Sequence, residues 1–379
     1  MAAGSSGDLL TRSQRLAWLR LIRSDNVGPV TFRQLLNRFG SAEAALEALP
    51  SLARNAGVAA RLYPPGEAEA ELEAVEQNGA RLVALGEPGY PPLLKHISGP
   101  PPLVTLAGGD NLDWSRTVGI VGARNASSAG QKMTRVLAGD LGAEGYTIVS
   151  GLARGIDAAA HRATLKTGTV AVLAGGLDHI YPDENVPLAR EIVEHGGALI
   201  TEMPFNWEPR ARDFPRRNRL IAGLSRGVVV VEAAKRSGSL ITARLALEQD
   251  REVFAVPGSP LDPRAEGSNA LIQQGARLVT AAADVLDSLA QADPWRKALF
   301  EPDWEPEVGD SGGDPADATM PSHDDRTRLL EALSVTPMPV DELLAATGLS
   351  IPAVQTLLLE LDIAGRIEWS SGQLVALRG

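Results

Sequence analysis

The sequence predicts an α/β protein: a Rossmann-like, doubly wound, mostly parallel sheet with a small helical domain before it and a winged helix after it. The main observation lies in the middle of the chain, where short and almost entirely apolar runs alternate with helical stretches. Strands that are apolar on both sides are typical of a parallel sheet covered by helices on both faces. The length agrees, because 379 residues exceed one typical core and predict two or three domains.

The first part of the chain predicts a disordered start at residues 1–10 and a helical domain at residues 11–75. Leucines, alanines and arginines recur there at helical spacing, and Asn26-Val-Gly-Pro-Val30 forms a tight turn between two helices. The pattern resembles a helix-hairpin-helix or SAM-like module; helix-hairpin-helix modules bind DNA phosphates through a Gly-x-Gly turn. Asn26 replaces the first glycine and tolerates a positive φ. We favour a purely structural domain, with DNA binding as the alternative.

Residues 80–290 predict the Rossmann-like domain, which opens with a connector rich in Pro and Gly turns. Its strands are predicted at residues 118–121, 147–149, 170–173, 199–200, 227–231, 253–256 and 278–279. The helical stretches between them lie at residues 129–143, 158–166, 186–194 and 240–248. We therefore expect the loops after the strands to meet at the edge of the sheet where doubly wound proteins bind ligands.

Residues 300–325 predict an acidic, disordered linker. They contain nine carboxylates, no Lys or Arg and many Pro, Gly and Asp residues. The formal net charge of the whole chain is -11, and this segment contributes -9 of it. The rest of the chain therefore has a formal net charge of only -2. The acidity of the chain therefore does not exclude nucleic acid as a partner.

Residues 326–379 predict a winged helix, with three helices followed by a short β-hairpin. The third helix, residues 351–363, stands where such folds read duplex DNA, but it contains Glu360 and Asp362 and no Lys or Arg. Reading a duplex needs basic and amide groups on that surface. We therefore favour a structural or protein-contact role for this module over duplex recognition.

Composition excludes two further classes of protein. The chain has no cysteine, which excludes disulfides and thiolate zinc sites. The start of the sequence shows no signal-peptide pattern, and its apolar runs are much shorter than the roughly 18 residues of a membrane span. We expect a cytoplasmic protein without membrane insertion.

Four loops at the predicted binding edge are rich in Gly and Ser. They are Gly122-Ala-Arg-Asn-Ala-Ser127, Ser150-Gly-Leu-Ala-Arg-Gly-Ile-Asp157, residues 175–182, and Ser237-Gly-Ser-Leu-Ile-Thr242. Glycines let backbone N–H groups approach an anion, and each loop opens a helix whose N-terminus favours negative charge. A single loop of this kind is explained as a tight turn. Several of them, with Arg124 and Arg154 at the same edge, favour anion binding.

Residues 204–219 combine aromatic rings with arginines in a chain that is only 4% aromatic. The run reads Pro204-Phe-Asn-Trp-Glu-Pro-Arg-Ala-Arg-Asp-Phe-Pro-Arg-Arg-Asn-Arg219. Rings that stack on unpaired bases, beside guanidinium groups that neutralise phosphates, are what a single-strand groove requires. The alternative is a loop whose rings cap the core and whose arginines pair with nearby acids.

Familiar nucleotide motifs are absent from the sequence. Gly119-Ile-Val-Gly122 does not match G-x-G-x-x-G, Ser150 stands where an acid would hold a ribose, and there is no P-loop. Asp157 and His161 are four residues apart on one predicted helix, but no third metal ligand has suitable spacing. We interpret them as a helix-capping Asp and a hydrogen-bonded His. Glu202 and Glu232 have no partner nucleophile, so they define no reaction.

These motifs together closely resemble the DNA-processing protein A family (DprA, also called Smf). The matching segments cover most of residues 100–285 in one order: Val121-Gly-Ala-Arg124, Ser150 to Asp157 with His161, Tyr181-Pro182, Phe214-Pro-Arg-Arg-Asn-Arg-Leu-Ile-Ala-Gly223, Ser237-Gly-Ser-Leu-Ile-Thr-Ala243 and Val253-Phe-Ala-Val-Pro-Gly258. The flanking helical and winged-helix modules also resemble extensions seen in this family.

The resemblance implies a dimeric, non-enzymatic binder of single-stranded DNA in natural transformation, with weaker binding to duplex. Such proteins protect incoming strands and help to load the recombinase RecA in the presence of single-strand-binding protein. It implies that Arg124 and Arg154 contact the DNA backbone and that Phe214 stacks on bases. We expect no catalytic residue, metal or cofactor.

Two sets of site residues are predicted on this basis. The predicted single-strand contacts are Gly122, Arg124, Ser150, Gly151, Arg154, Gly155, Phe214, Arg216, Arg217, Asn218, Arg219, Ser237, Gly238 and Ser239. The predicted self-association surface contains Asn269, Leu271, Ile272 and Leu278. Leu271 and Ile272 are equally compatible with a position in the core.

A competing enzyme hypothesis comes from a related family, the nucleoside monophosphate phosphoribohydrolases. Those enzymes use a P-G-G-x-G-T-x-x-E loop with a catalytic Glu. The comparable segment here reads Ser237-Gly-Ser-Leu-Ile-Thr-Ala-Arg244, which lacks both the P-G-G opening and the Glu. We therefore favour the DNA-binding hypothesis.

Overall fold

The computed structural model describes residues 9–299, 321–370 and 374–378 and divides the chain into two compact units. One unit contains the described part of Glu71–Glu301, and the other contains Leu9–Ala70 with the described part of Pro302–Gly379. Most of the predicted disordered start and most of the predicted acidic linker lie outside the described residues.

The first unit is built on a nine-stranded mixed sheet. Its strands in chain order are β1 Ala80–Ala84, β2 Leu103–Gly108, β3 Thr117–Val121, β4 Thr147–Ser150, β5 Thr169–Val172, β6 Ala198–Thr201, β7 Gly227–Val230, β8 Glu252–Ala255 and β9 Arg277–Leu278. Their spatial order is β1-β2-β6-β5-β4-β3-β7-β8-β9. The seven strands from β3 to β9 are parallel, while β1 and β2 are antiparallel to their neighbours. The predicted doubly wound, mostly parallel sheet is confirmed.

Helices cover both faces of this sheet because its strands are apolar on both sides. Val228 and Val230 of β7 face one hydrophobic cluster, whereas Val229 between them faces another. The first cluster includes residues of α8 Asp213–Gly223 and α9 Gly238–Glu248. The opposite face is covered by α5 Ser128–Ala143, α6 Ile156–Ala163, α7 Val186–Glu194 and α11 Ala282–Leu299. α10 Glu266–Gln273 packs near β8.

The strand order creates a switch point beside β3. From β3 the chain proceeds to β4, β5 and β6 on one side and then returns to add β7, β8 and β9 on the other. The loops that follow β3 and β7 therefore leave neighbouring strands toward opposite faces, and a crevice opens between them. This crevice lies at the edge where the sequence predicts the ligand.

The second unit combines the two ends of the chain. Its N-terminal part contains α1 Arg12–Arg23, α2 Pro29–Phe39, α3 Ala42–Asn55 and the start of α4 Pro65–Gln77. Its C-terminal part contains α12 His323–Ala332, α13 Val340–Thr347 and α14 Ile351–Ile363, with a three-stranded sheet of β10 Met338–Pro339, β11 Ile367–Ser370 and β12 Leu374–Leu377. The predicted helical domain and winged helix are both present.

Local sequence explains where the first helices begin and end. The Thr11 side chain accepts a hydrogen bond from the backbone N–H of Gln14, and the Gln14 side chain accepts one from the backbone N–H of Thr11. This reciprocal pair is a capping box, and it fixes the N-terminus of α1. Gly40 ends α2 with a φ of 75°, a conformation that favours glycine. Asn26 in the turn before α2 has a φ of 60°, as its tolerance of positive φ allows.

None of the described helices is by itself long and apolar enough to cross a membrane. The helices α13 and α14 reach the length and apolar composition of a membrane span only when they are taken together, and the chain bends by 117° between them.

Candidate nucleic-acid interface

The predicted binding loops meet in one groove at the carboxyl edge of the sheet, which we call the rim groove. It consists of two adjoining cavities of about 300 Å³ and 590 Å³ that share Arg124, Asn125, Ala153, Phe214 and Arg217. The smaller cavity is completed by Gly151, Arg154, Tyr181 and Pro182. The larger extends along the loop after β7 and includes Gly122, Arg236, Ser237, Gly238, Ser239, Thr242 and Arg264.

Phe214 is the central ring of the rim groove. The guanidinium of Arg124 lies over its face at 5.4 Å from the ring centroid, and that of Arg217 lies at 5.9 Å. Tyr181 meets the ring edge-on, with 5.5 Å between centroids and 73° between planes. The Tyr181 side chain is about half exposed. Phe214 and Tyr181 thus form a partly exposed aromatic surface that is bordered by two guanidinium groups.

Arg154 supplies a second exposed cation at this groove. Its side chain is 60% exposed, and its Nε lies 2.9 Å from the Oε1 of Glu184. An ion pair between two exposed groups contributes little to stability. A phosphate can therefore replace Glu184 as the partner of Arg154 at small cost.

Arg217 is buried and is held by backbone carbonyl groups. Its Nη1 donates to the carbonyl oxygens of Gly151 and Val172, and its Nε donates to Asn218 Oδ1 at 3.2 Å. Burial lowers the pKa of Arg217 to about 10, partly opposed by the nearby carboxylate of Asp157. Its guanidinium thus ties together the ends of β4, β5 and α8 and also forms part of the wall of the groove.

Arg216 and Arg219 turn toward Glu202 at the end of β6. Arg216 Nε donates to Glu202 Oε1 at 3.0 Å, and Arg219 Nη2 donates to Glu202 Oε2. Arg219 also donates to the carbonyl of Gly99 at 3.0 Å. Residues three apart share one face of a helix, which is why a single carboxylate reaches both arginines. The sequence showed the spacing but not the partner.

Several predicted loop residues are packed against the chain itself. Ser150 is fully buried, and its hydroxyl donates to the carbonyl of Ile120 at 2.6 Å. A Cβ on Gly122 would lie 2.6 Å from Ile156, and Gly155 has a φ of 73° against the Ala123 carbonyl. These residues shape the floor of the rim groove.

Three helices that begin at this edge carry a carboxylate of the chain near their N-termini. At α5, Glu232 accepts from the backbone N–H and hydroxyl of Ser127, at 2.9 and 2.5 Å. At α6, Asp157 accepts from the N–H groups of Gly151 and Ala153. At α8, Asp213 accepts from Trp207 Nε1 and the Arg210 N–H, both at 2.9 Å. Each carboxylate occupies a place that would otherwise favour a phosphate.

The fourth helix, α9, begins with no acidic residue in its first turn. Its N-cap is Ser237, whose hydroxyl lies 2.7 Å from that of Ser239. Ser237, Gly238 and Ser239 line the larger cavity. Of these four helix N-termini, that of α9 is the one without a carboxylate of its own, so it is the best placed for an anion.

Asp157 and His161 have separate partners on α6. Asp157 binds the backbone N–H groups described above, and burial raises its pKa, opposed most by the charge of Arg217. His161 is fully buried, with Nδ1 2.7 Å from the hydroxyl of Thr169. Among the described residues there is no group of three or more His, Cys, Asp or Glu side chains suited to a metal ion.

The remaining rings of the 204–219 run pack against the chain itself, with Phe205 buried and Trp207 half-buried. The Trp207 ring lies under the Arg210 guanidinium at 4.6 Å, and its Nε1 binds Asp213. Sequence reasoning singled out Phe214, but its set of contact residues omitted several that line the groove, among them Asn125, Tyr181, Arg236 and Arg264. The Tyr181-Pro182 dipeptide was visible as a motif, but nothing in it indicated contact with Phe214.

The predicted self-association residues lie near the β9 edge of the sheet. Asn269 binds both the N–H and the carbonyl of Gly258, at 3.1 and 3.0 Å. Leu271 is partly buried against the core, and Ile272 is half-buried. Leu278 is 46% exposed on the last strand of the sheet. Leu278 therefore presents the most accessible apolar side chain of the four.

Two of the solved structures that resemble this chain are of DNA processing protein A. DNA processing protein A from Streptococcus pneumoniae is 34% identical, with a TM-score of 0.57 over 74% of this chain and 98% of that one. DNA processing protein A from Helicobacter pylori, described with a unique single-stranded DNA binding mode, is 27% identical, with a TM-score of 0.51 over 56% of this chain and 96% of that one.

Similar sequences carry the same names. Protein Smf of Escherichia coli is 41% identical over 83% of this chain and 82% of its own length. DNA processing protein DprA of Bacillus subtilis is 45% identical over 58% of this chain and 75% of its own length. Residues 12–74 match the DprA-like N-terminal HHH domain and residues 313–373 the DprA winged helix domain. Residues 81–290 match DNA recombination-mediator protein A, and the chain therefore belongs to that family.

Proposed function

We propose that this protein binds single-stranded DNA without sequence preference during natural transformation, protects the incoming strand and loads the recombinase RecA onto it. The observation that carries the proposal is the platform of Phe214 and Arg124 beside the open N-terminus of α9. A ring for bases next to a site for phosphates is the combination that a single strand requires. The single-strand binding described for the Helicobacter pylori relative supports it.

In this proposal the phosphates contact the start of α9 and two arginines. The backbone N–H of Gly238 and the hydroxyl groups of Ser237 and Ser239 contact one phosphate at the helix N-terminus. Arg124 and Arg154 neutralise neighbouring phosphates, with Arg124 also touching the base platform. Contacts of this kind are electrostatic, so affinity falls steeply as the salt concentration rises.

The bases stack on Phe214 in this proposal. The ring is half-buried and bordered by Tyr181, which leaves part of it available to a base. Every base has a π-face, so stacking accepts all four with weak preference. Duplex DNA hides its bases in the stack, and we expect it to bind this groove more weakly.

The other predicted contact residues divide by their surroundings. Arg217, Asn218 and Ser150 are buried, and we propose that they position the groove. Gly122, Gly151 and Gly155 allow the close approach of backbone segments. Arg216 and Arg219, which are paired with Glu202, add positive charge behind the groove.

We further propose that the protein acts in the cytoplasm as a homodimer, through the surface of Asn269, Leu271, Ile272 and Leu278. RecA and single-strand-binding protein are its proposed protein partners. Catalysis is not part of the proposal, since the segment at Ser237 lacks the Glu of the phosphoribohydrolase loop. Incubation with nucleoside monophosphates should release no free base, and release of base would favour the enzyme hypothesis instead.

The test is a fluorescence anisotropy titration of labelled single strands and duplexes of equal length, at several salt concentrations. We expect wild type to bind the single strand more tightly than the duplex, and Arg124→Ala, Arg154→Ala and Phe214→Ala each to weaken single-strand binding. Arg244→Ala is the matched control, because Arg244 is 71% exposed on α9 and does not line the groove. Equal loss in the control, or unchanged binding in all three variants, would contradict the proposal.

A further inference from the structure

In the second unit, α14 packs against the N-terminal helices through apolar side chains. Leu359 and Ile363 belong to the same hydrophobic cluster as Leu21, Phe32 and Leu46. The neighbouring α14 residues Leu357, Leu358 and Leu361 face the core of the winged helix instead. α14 therefore has two buried faces, one in each module, and this explains why the helix is apolar on nearly every side.

Polar bonds surround the apolar contact of α14 with the N-terminal helices. The hydroxyl of Thr31, in the first turn of α2, donates to Asp362 Oδ2 at 2.6 Å in a buried setting. Arg38 Nη1 donates to the hydroxyl of Thr356 at 2.7 Å. Asn26 Nδ2 donates to the carbonyl of Ile363 at 2.9 Å. The turn that precedes α2 is thus tied to the C-terminal end of α14.

The two modules of this unit carry opposite charge. Residues 9–62 contain eight arginines and three carboxylates, and therefore a formal charge of +5. Residues 321–378 contain four arginines and eight carboxylates, and therefore a formal charge of -4. The N-terminal helices are thus positively charged in a chain whose net charge is -11. The acidic C-terminal module packs against part of their surface.

Asp362 places a carboxylate against the N-terminal turn of α2. A helix N-terminus favours an anion, and the turn before α2 is the part of a helix-hairpin-helix that faces a phosphate. Burial raises the pKa of Asp362, opposed first by its bond from Thr31. The acidic module thus presents to the hairpin the same charge that a DNA backbone would present.

We propose that the winged-helix module is an internal cover: α14 docks on the basic N-terminal helices and keeps them from duplex DNA. This goes beyond the single-strand proposal, which concerns the other unit of the chain. In the docked state α14 cannot enter a major groove, because the residues of its second face are buried by the N-terminal helices. Release of the cover would free the turn before α2 and the guanidinium of Arg38, which is bonded to Thr356 in the docked state, for the phosphates of a duplex.

The test compares three full-length proteins for binding to a labelled duplex. In the opened variant, Leu359→Asp and Ile363→Asp remove the apolar contact with the N-terminal helices. In the matched control, Ile351→Asp and Gln355→Asp make the same charge change on the exposed face of α14. All four changes lie outside residues 9–62, so the basic helices are intact in every protein, and the added carboxylates by themselves oppose DNA binding.

We expect the opened variant to bind the duplex about tenfold more tightly than the control does, a change of ~1.4 kcal/mol. Single-strand affinity should be equal in all three proteins, which separates this test from failure of the rim groove. An opened variant that binds the duplex no better than the control would overturn the proposal.

A milder variant covers the case in which the opened protein does not fold. Thr356→Val with Asp362→Asn removes the acceptor for Arg38 and the charge beside Thr31, while the apolar contact remains. We expect a smaller gain in duplex affinity in the same direction, with the circular dichroism spectrum of wild type. A folded protein of this kind with unchanged duplex affinity would also count against an internal cover.

Discussion

The guanidinium of Arg124 lies over the face of the Phe214 ring, with 5.4 Å between its central carbon and the ring centroid. Arg124 follows β3, whereas Phe214 is the second residue of α8, so the contact joins the loop after β3 to the first turn of α8. A cation over a ring combines the two chemical features of a single-strand site in one place. The predictions on DNA binding follow from this pair.

Phe214→Ala should weaken single-strand binding by about 1–3 kcal/mol, which is the usual contribution of a ring that stacks on a base. Anisotropy titration of the variant measures the change directly. Phe214→Tyr is the matched control, because it keeps the ring and should bind like wild type. If the Ala and Tyr variants bound the single strand with equal affinity, Phe214 would have a role in packing and would not stack on a base.

Arg154→Ala should flatten the dependence of binding on salt. Each phosphate contact on a single strand contributes about 0.7 to the slope of log K against log salt concentration, so the slope should decrease by about that amount. Titrations at four salt concentrations give the slope, with Arg244→Ala as the control. If the slope of the Arg154→Ala variant equalled that of wild type, Arg154 would not contact a phosphate.

Local sequence patterns were enough to predict the parallel part of the sheet. Runs such as residues 227–231 are apolar at every position, and in the structure Val229 and its two neighbours face opposite hydrophobic clusters. The antiparallel strands β1 and β2 were harder to predict, since Pro and Gly turns surround them. The sequence therefore predicts the seven parallel strands from their own residues, and the parallel order follows from general rules of connection.

The site could be predicted only in part because its polar partners are distant in the chain. Ser127 binds Glu232, which is 105 residues away, and Arg217 binds the carbonyl of Gly151 at a separation of 66 residues. No local pattern shows such contacts. Arg216, Arg217 and Arg219 were all predicted to contact the strand, but helical geometry sends Arg217 into the interior and the other two toward Glu202.

Glu202→Gln should destabilise the protein by about 1.5–3 kcal/mol, because the side chain is buried and accepts charged hydrogen bonds from both Arg216 and Arg219. Urea unfolding followed by circular dichroism gives the free energy. Glu248→Gln is the control: Glu248 pairs with Arg244 on the surface of α9, and such a pair contributes about 0.3–0.5 kcal/mol. Similar losses in both variants would mean that Glu202 has no special role.

Leu278→Asp should convert the proposed dimer to a monomer. Leu278 is 46% exposed on β9, the last strand of the sheet, so a charge there would oppose burial in an interface. Sedimentation velocity measures the mass of each species. Val136→Asp is the matched control, because Val136 is 47% exposed on α5. A wild-type monomer, or a dimer that survives Leu278→Asp, would contradict the proposed surface.

His161 should make the protein less stable in acid. Thr169 donates its hydroxyl proton to the carbonyl of Ile148, so in the neutral ring Nδ1 of His161 must be the donor to Thr169, and the buried Nε2 carries no proton. Burial, together with the charges of Arg217 and Arg162, lowers the pKa of His161 to about 3. The unfolded chain therefore binds a proton below about pH 6.5 that the folded protein excludes.

The free energy of unfolding should accordingly lose ~1.4 kcal/mol per pH unit from this group between about pH 6.5 and pH 3, and nothing above that range. Replacing the ring by His161→Gln removes the dependence, although the variant is less stable at every pH because the bond to Thr169 changes. Urea unfolding at pH 7.5, 6 and 5 should therefore show the two stabilities converging as the pH falls. The His195→Gln variant, at an exposed position, should stay parallel to wild type. Parallel curves for His161→Gln as well would mean that the folded protein accepts a proton on this ring.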